Sequence, residues 1–289
     1  MASANIKDVK RRIKSVQSTM QTTKAMELVA SSKMRKAKLR AEAAQPFFKV
    51  LYDTMSDISE DKTFKSVFTA QNENKKYLLI VIAGDRGLAG GFNSNVLKLA
   101  VKRADEIMAD GKSVEIMAIG KKAEDFFDKH NYPVKCSFSH VSENIDGYLT
   151  GDIVEIVLDG FRSKEYNTVE LVFTTFVSAL TQTPMNIQIL PVENLDNGRD
   201  ENIRALTIYD PSPEAVFDGM IPQYLIGILY SAIVDSFAAE QAARRTAMKS
   251  ASDNAGEMID QLSLLYNRAR QGIITQELTE ISSASLRDD

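Results

Sequence analysis

One apolar row, which keeps a single helical phase from Ile6 to Ile58, constrains this chain more than any other feature. Its steps alternate between three and four residues, the seven-residue repeat of a helix that packs along one partner helix. At 1.5 Å per residue such a helix would be roughly 80 Å long, too long for a compact domain to enclose. Globular helices rarely exceed about 25 residues, so a coiled coil is favoured over a core helix of a bundle. The row consists of Ile6, Val9, Ile13, Val16, Met20, Thr23, Glu27, Ala30, Met34, Ala37, Ala41, Ala44, Phe48, Leu51, Met55 and Ile58.

A second long helix is predicted from Gln223 almost to Ile281, because only scattered glycines interrupt its helix-forming residues. Its apolar residues recur at a spacing nearer four than 3.5, which predicts a looser supercoil. Pro46 predicts a kink or break in the first helix, and Gly219 with Pro222 predicts a turn before the second. Residues 282–289 are expected to fray. The predicted row is Leu225, Ile228, Ala232, Ala239, Ala243, Ala247, Ala251, Met258, Leu262, Leu265, Ala269 and Ile273.

Between the two helices, apolar strands alternate with helical stretches. This pattern is typical of an α/β domain with a central, mostly parallel sheet and helices on both faces. The continuous apolar run Tyr77–Ala83 is typical of a buried parallel strand. Further strands are predicted at 113–119, 134–138, 169–176, 187–192 and 203–209, and helices at 94–109, 121–129 and 145–164.

Polar stretches mark the boundaries of three parts. Residues 1–59 are predicted to be an N-terminal coiled-coil helix, 77–210 an α/β (Rossmann-like) domain, and 211–289 a C-terminal coiled-coil helix. The simplest fold pairs the two long helices antiparallel as a rod, from which the sheet domain projects.

The single cysteine, Cys136, excludes an internal disulfide and indicates a reducing compartment. The first residues lack the apolar segment of a signal peptide. The longest near-apolar run, 224–239, is too short and too polar to span a bilayer, so no direct bilayer insertion is expected.

Charge is distributed unevenly along the chain. Residues 1–40 contain 11 Lys or Arg and 2 acids, a balance of 11 − 2 = +9, whereas the whole chain carries −4. The remainder therefore carries −4 − 9 = −13. A basic arm on an acidic protein predicts an acidic partner surface, which could be nucleic acid, phospholipid or protein. Aromatic residues are absent before Pro46, so stacking on single-stranded nucleic acid is not supported, whereas duplex binding through phosphates stays open.

A glycine-rich segment, GDRGLAGGFN at 84–93, follows the first predicted strand. Such a loop can present backbone N–H groups to a phosphate, but its spacing fits neither the dinucleotide fingerprint nor the P-loop. A structural turn that exposes Asp85 and Arg86 is the favoured interpretation. His130, Cys136 and His140 fit no zinc spacing. The sequence therefore nominates no catalytic residue, no cofactor and no metal ligand.

Several segments together identify a family. These are IKDVKRRIKSVQSTMQTTKAMELVASSKMRKAK near the N-terminus, AARRTAMKSASDNAGEMI and NRARQGIITQELTEI near the C-terminus, and GDRGLAGGFNSNV and FVSALTQTP between them. The chain resembles, over its whole length, the gamma subunit of F-type ATP synthases in its bacterial form.

The resemblance implies a non-catalytic rotary shaft. The terminal helices would turn inside a ring of alpha and beta subunits, and the α/β domain would lie beside the epsilon subunit on the membrane c ring. Proton flow would turn the c ring and the shaft, and so drive ATP synthesis on beta, or the reverse. The protein would be peripheral, on the cytoplasmic face of the bacterial plasma (inner) membrane.

Contact residues follow from the same resemblance. Lys24 and Met26 would meet the acidic lever loop of the beta subunit. Arg270, Gln271, Thr275 and Glu277 would meet beta loops near the top of the shaft. Two alternatives remain beside this function: a nucleotide-binding α/β protein with helical arms, and a basic coiled-coil nucleic-acid binder.

Overall fold

The computed structural model describes residues 2–59, 64–70, 74–141, 145, 147–193 and 209–285. Within them the chain forms five helices and five strands. Along the sequence, the strands come between two very long terminal helices. The elements are α1 (Ala2–Ser59), β1 (Lys76–Ile82), α2 (Phe92–Ala109), β2 (Ser113–Ile119), α3 (Lys121–Lys129), β3 (Val134–Phe138), α4 (Gly147–Arg162), β4 (Thr168–Phe176), β5 (Gln182–Leu190) and α5 (Pro213–Ser285).

The described strands form one sheet in the order β3-β2-β1-β4-β5. β3, β2, β1 and β4 run parallel, and β5 pairs antiparallel with β4. In the centre, Ile80 of β1 lies opposite Met117 of β2 and Leu171 of β4. The mostly parallel sheet is therefore as predicted.

Helices cover both faces of the sheet, which explains why β1 is an unbroken apolar run. Leu79 and Val81 pack towards α2 and α3, whereas Leu78 and Ile80 pack towards α4, α1 and α5. Because successive strand residues point to opposite faces, a strand buried on both sides needs apolar residues at every position.

The chain divides into two compact units that cut across both long helices. Residues 1–30 and 244–289 form the first, here called the coil unit; residues 31–243 form the second, the domain unit.

In the domain unit α1 and α5 pack antiparallel. The Phe48 ring lies 6.4 Å from that of Tyr230, and further along the chain the Phe64 ring lies 4.7 Å from that of Phe217. From the first contact to the second, the residue number rises from 48 to 64 on one segment and falls from 230 to 217 on the other, so the two segments run antiparallel. From Ala232 to Ala242 every residue of α5 except Asp235 is buried, so this part of the helix belongs to the core of the sheet domain.

The seam predicted for α1 is confirmed. All of its positions from Ile6 to Ile58 are buried or half-buried, whereas most residues between them are exposed. In the coil unit the two helices meet where the hydroxyl oxygens of Thr23 and Ser252 lie 2.6 Å apart. One of the two polar residues of the predicted seam is therefore satisfied across the coil.

The row predicted for the C-terminal half of α5 is right at Leu262, Ala269 and Ile273 and wrong at two other positions. Met258 and Leu265 are 50% and 52% exposed. The less exposed row steps by four and three residues, as a coiled-coil seam requires. A search for apolar residues alone misses this row, because it includes Ser252 and Tyr266. The observed row is Met248, Ser252, Ala255, Ile259, Leu262, Tyr266, Ala269 and Ile273.

The structure shows no helix break at Pro46 and no turn at Gly219 and Pro222, so these two expectations are wrong. α1 continues through Pro46, and α5 is one helix that includes Gly219 and Pro222. Pro46 and Glu42 are both exposed, so water can satisfy the Glu42 carbonyl that proline leaves without a donor. α5 begins with Pro213, and proline is favoured at the first helical position.

Other boundaries differ by a few residues. β5 covers 182–190 rather than 187–192, because its outer half alternates between half-buried and exposed residues without an apolar run that would mark it as a strand. Helix α5 reaches Ser285, past the predicted start of fraying. The strand predicted at 203–209 falls outside the described residues, apart from Tyr209, which is in no strand.

Among the described residues, α5 is the one helix that is long and apolar enough to cross a membrane, with a mean hydropathy of 1.3 in its most apolar stretch. A core helix of a soluble domain meets the same criteria. In α5 the apolar residues Leu225, Leu229 and Ile233 are buried in the domain unit.

The close approach of α1 and α5 predicts that Gly227→Ala destabilises the protein. A Cβ there would lie 2.3 Å from Cδ1 of Phe48, and such overpacking costs about 1–3 kcal/mol. Urea unfolding of the full chain measures this loss. Gly219→Ala is the control, because a Cβ at Gly219 meets nothing within 4 Å and should be neutral or stabilising. Equal effects of the two changes would contradict the close approach.

The phase of the α5 seam predicts a contrast between adjacent residues. Ile259→Ala should weaken the coil by about 1–2 kcal/mol, because it removes a partly buried side chain from the seam. Met258→Ala should change stability by less than about 0.5 kcal/mol, because Met258 is exposed. Amide hydrogen exchange along 250–275 measures both. A larger loss of stability for Met258→Ala than for Ile259→Ala would instead support the row predicted from the sequence, which contains Met258.

Candidate functional site

The sheet has a topological switch point between β1 and β4. From β1 the chain continues to β2 on one side, whereas β4 pairs on the other. In open α/β sheets of this kind, ligands bind in the crevice beyond the carboxyl ends of the strands at this point. The glycine-rich loop 84–93 begins there, directly after β1. The nucleotide-binding alternative therefore depends on whether this crevice is open.

Side chains hold the loop in a fixed shape. The side-chain oxygen Oδ1 of Asn93 accepts a hydrogen bond from the Gly84 N–H at 2.8 Å. The side-chain amide nitrogen Nδ2 of Asn93 donates to the backbone carbonyl of Arg86 at 3.2 Å. One carboxylate oxygen of Asp85 accepts from the backbone N–H of Lys121 at 3.0 Å and of His140 at 3.1 Å. Asp85 is therefore half-buried and structural, which corrects the prediction that it is exposed, whereas Arg86 is exposed as predicted.

Helix α5 fills the crevice. The Ser236 hydroxyl accepts from the Thr174 N–H at 3.0 Å and donates to the Thr174 carbonyl at 3.3 Å. The last paired residue of β4 on the β1 side is Val172, so Ser236 bonds the strand edge that β1 leaves open. Ala239 packs against Ala89 and Phe92 of the loop.

Glu240 closes the same space next to Gly84. The residue is only 5% exposed. A Cβ on Gly84 would lie 2.8 Å from the Glu240 carboxylate, so this carboxylate packs directly against the start of the loop. The place that a nucleotide phosphate would take is therefore occupied by the protein's own helix.

The remaining candidates for chemistry lie apart and have structural surroundings. The His130 ring stacks on Phe126 with 4.2 Å between ring centroids, and its Nδ1 lies 2.7 Å from the Phe126 carbonyl. Burial raises the pKa of the Cys136 thiol. Among the described residues, no group of three or more His, Cys, Asp or Glu side chains could hold a metal ion.

The basic arm of α1 faces solvent. Of its Lys and Arg side chains, only Lys33 is half-buried in the described chain, and the others are exposed. Arg11 pairs with Asp8 at 3.1 Å, and both side chains remain mostly exposed. Lys38 differs in function, because its ammonium lies 4.4 Å above the Phe176 ring and helps to hold α1 against β4. The arm therefore presents most of its positive charge to solvent.

The predicted contact residues lie on the outer surface of the coil unit. Lys24 and Met26 follow the seam residue Thr23 on α1, and both are exposed. Arg270, Gln271, Thr275 and Glu277 are exposed on the last turns of α5, where the Thr275 hydroxyl donates to the Gln271 carbonyl at 2.9 Å. Ser252, opposite Thr23, and Arg270 are separated by 18 residues of α5, or about 27 Å. The structure therefore places these residues in two groups.

Exposed apolar side chains accompany both groups, and sequence reasoning did not single them out. Leu28 and Val29 lie next to the first group, and Leu264, Ile274 and Leu278 surround the second. Their signal in the sequence is that they are apolar but out of phase with the seam. Exposed apolar residues combined with charge are typical of a protein–protein surface.

A sheet domain whose ligand crevice is filled by a long helix, and whose helical coil exposes charged and apolar residues, defines a class of proteins that act through contact with other proteins. The ATP synthase family matches residues 5–285. This chain belongs to the ATP synthase gamma chain family.

Three known proteins illustrate the match. The ATP synthase gamma chain of Ruminococcus albus is 62% identical over 286 residues, which cover 99% of both chains. The sodium ion specific ATP synthase gamma chain of Acetobacterium woodii is 39% identical and covers 96% of both. A chain in the cryo-EM structure of Euglena gracilis mitochondrial ATP synthase (OSCP/F1/c-ring, rotational state 3) shares the fold with a TM-score of 0.66 at 18% identity. It covers 98% of this chain and 94% of that chain.

The filled crevice predicts that the full chain does not bind ATP or NAD. Isothermal titration calorimetry of the purified chain should detect no saturable binding, corresponding to a dissociation constant weaker than about 1 mM. A nucleotide-binding protein of known affinity serves as the control. Saturable one-site binding in the micromolar range would restore the nucleotide-binding alternative.

Proposed function

We propose that this chain is the central rotary shaft of an F-type ATP synthase. The observation that carries the proposal is the 62% identity to an ATP synthase gamma chain over 99% of both chains. The shaft would couple rotation of the membrane c ring to conformational change in the catalytic beta subunits, for ATP synthesis or for the reverse reaction. The chain itself would be non-catalytic.

The mechanism rests on the asymmetry of the coil. α1 presents a basic outer face, and the end of α5 presents Arg270, Glu277 and exposed apolar residues. Each turn of the shaft would therefore change the surface that a given beta subunit meets. A surface that binds one conformation better than another shifts the population towards that conformation, and this difference would drive each catalytic site through its states.

The strength of the individual contacts suits a rotating part. Lys24 and Met26 would meet an acidic lever loop of beta, and Arg270, Gln271, Thr275 and Glu277 would meet beta loops further along the shaft. Exposed ion pairs stabilise by only about 0–1 kcal/mol each. Many weak contacts can exchange one at a time as the shaft turns, whereas a few strong ones would hold it in place.

Torque would enter the shaft through the domain unit. Residues 232–242 of α5 are buried in the sheet domain, and α5 continues as one helix to Ser285. A force on the sheet domain would therefore act on α5 itself. For this purpose we propose the functional division 1–59, 77–210 and 211–289, with the two helices as shaft and the α/β domain as the part that is turned.

The partners would be the alpha and beta subunits of the ring, the epsilon subunit and the c ring. The protein would be peripheral, on the cytoplasmic face of the bacterial plasma membrane. We propose protons as the driving ion. A shaft would transmit torque from sodium flow equally well, because the ion passes through the membrane subunits and not through this chain.

A reversible cross-link tests the rotary function. In a Cys136→Ala background, Gln271→Cys would be oxidised to a disulfide with a cysteine placed in a facing beta loop of the assembled complex. Multi-site ATP turnover should fall in proportion to the cross-linked fraction and return on reduction. Full turnover with every shaft cross-linked would exclude rotation.

The same complex tests the proposed contacts with a matched pair of variants. Arg270→Ala should slow multi-site turnover, whereas Arg268→Ala, an exposed arginine on another side of the same helix, should have little effect. Co-purification with the ring shows that both variants assemble. Equal turnover of the two variants would remove Arg270 from the contact surface.

A further inference from the structure

A groove in the domain unit has no part in the functions described above. It lies between α1, α5 and the β4–β5 pair and encloses about 630 Å³. Pockets of roughly 300–1,000 Å³ hold drug-sized ligands. Aromatic side chains supply much of its wall: Phe48, Tyr52, Phe173 and Tyr224.

The groove contains a carboxylate that is suited to a ligand. Asp235 is half-buried within the most buried stretch of α5. One of its oxygens accepts a hydrogen bond from the Thr175 hydroxyl at 2.5 Å. In the described chain no Lys or Arg forms an ion pair with it. Its second oxygen and its negative charge are therefore available to a donor that enters the groove.

The remaining charges of the groove favour a cation. Glu42 and Lys49 are exposed on its rim, so the lining carries two carboxylates and one ammonium. Burial raises the pKa of Tyr224 to about 12, so its phenol stays neutral at pH 7. Aromatic faces attract cations as well, and the attraction is stronger where water is partly excluded.

We propose that this groove binds a small organic cation, in which an aromatic or aliphatic body lies against the four rings and a protonated amine donates to Asp235. The charge of the lining decides against an anionic ligand, and the size of the groove fits a free small molecule. Such a ligand would touch α1, α5 and the sheet at once. Binding of such a ligand would not require rotation of the shaft.

Titration of the full chain with a matched pair of probes tests the site. The first probe is a tricyclic dibenzazepine with a dimethylaminopropyl chain, and the second is the corresponding uncharged alcohol. Calorimetry at pH 7 should show one bound amine per chain, with an affinity at least tenfold higher than that of the alcohol. Absence of binding, or equal affinities for the two probes, would overturn the proposal.

Three variants locate the bound amine. Asp235→Asn, which keeps an oxygen for the Thr175 hydroxyl, should abolish the tenfold preference. Glu42→Gln, the matched change at the exposed rim, should retain most of it. Ser231→Trp, which starts from an exposed position in the lining, should fill the groove and prevent binding of both probes. Unchanged binding in Ser231→Trp would place the amine elsewhere, as would an unchanged preference in Asp235→Asn.

Discussion

The fold depends on the burial of one short stretch of α5 in the crevice of the sheet. Where β1 ends, β4 would expose the N–H and C=O of Thr174, and the Ser236 hydroxyl satisfies both. Unpaired backbone groups in a buried position are costly, so this bond and the packing of Ala239 fix the helix to the domain. The same contact removes the place where a related sheet would bind a ligand.

This arrangement gives a known architecture a mechanical use. In an enzyme the carboxyl ends of β1 and β4 would hold a substrate or a cofactor. Here the Glu240 carboxylate packs directly against Gly84, so the helix and the loop are in contact. Because α5 fills the crevice, the sheet domain is attached to the helix that forms the shaft. The shaft would act on its partners through surface contacts.

The sequence predicted much of the fold because strong local patterns were present. The α1 seam has a strict seven-residue repeat, and all of its positions are buried or half-buried in the structure. The α5 seam could not be found in the same way, since Ser252 and Tyr266 belong to it and Met258 and Leu265 do not. A seam is defined by the partner helix, and polar residues can take part when they find a hydrogen bond, as Ser252 does with Thr23.

The sequence by itself determined two long helices around an α/β domain, a basic arm and a family. These follow from periodicity, charge and motifs, which are local properties of the chain. Only the tertiary structure decided that α5 occupies the switch point, that Asp85 is a structural residue, and that Ser252 and Tyr266 belong to the α5 seam. Those results depend on which residues from distant segments of the chain come into contact. Neither the spacing of residues nor the composition of the chain specifies such contacts.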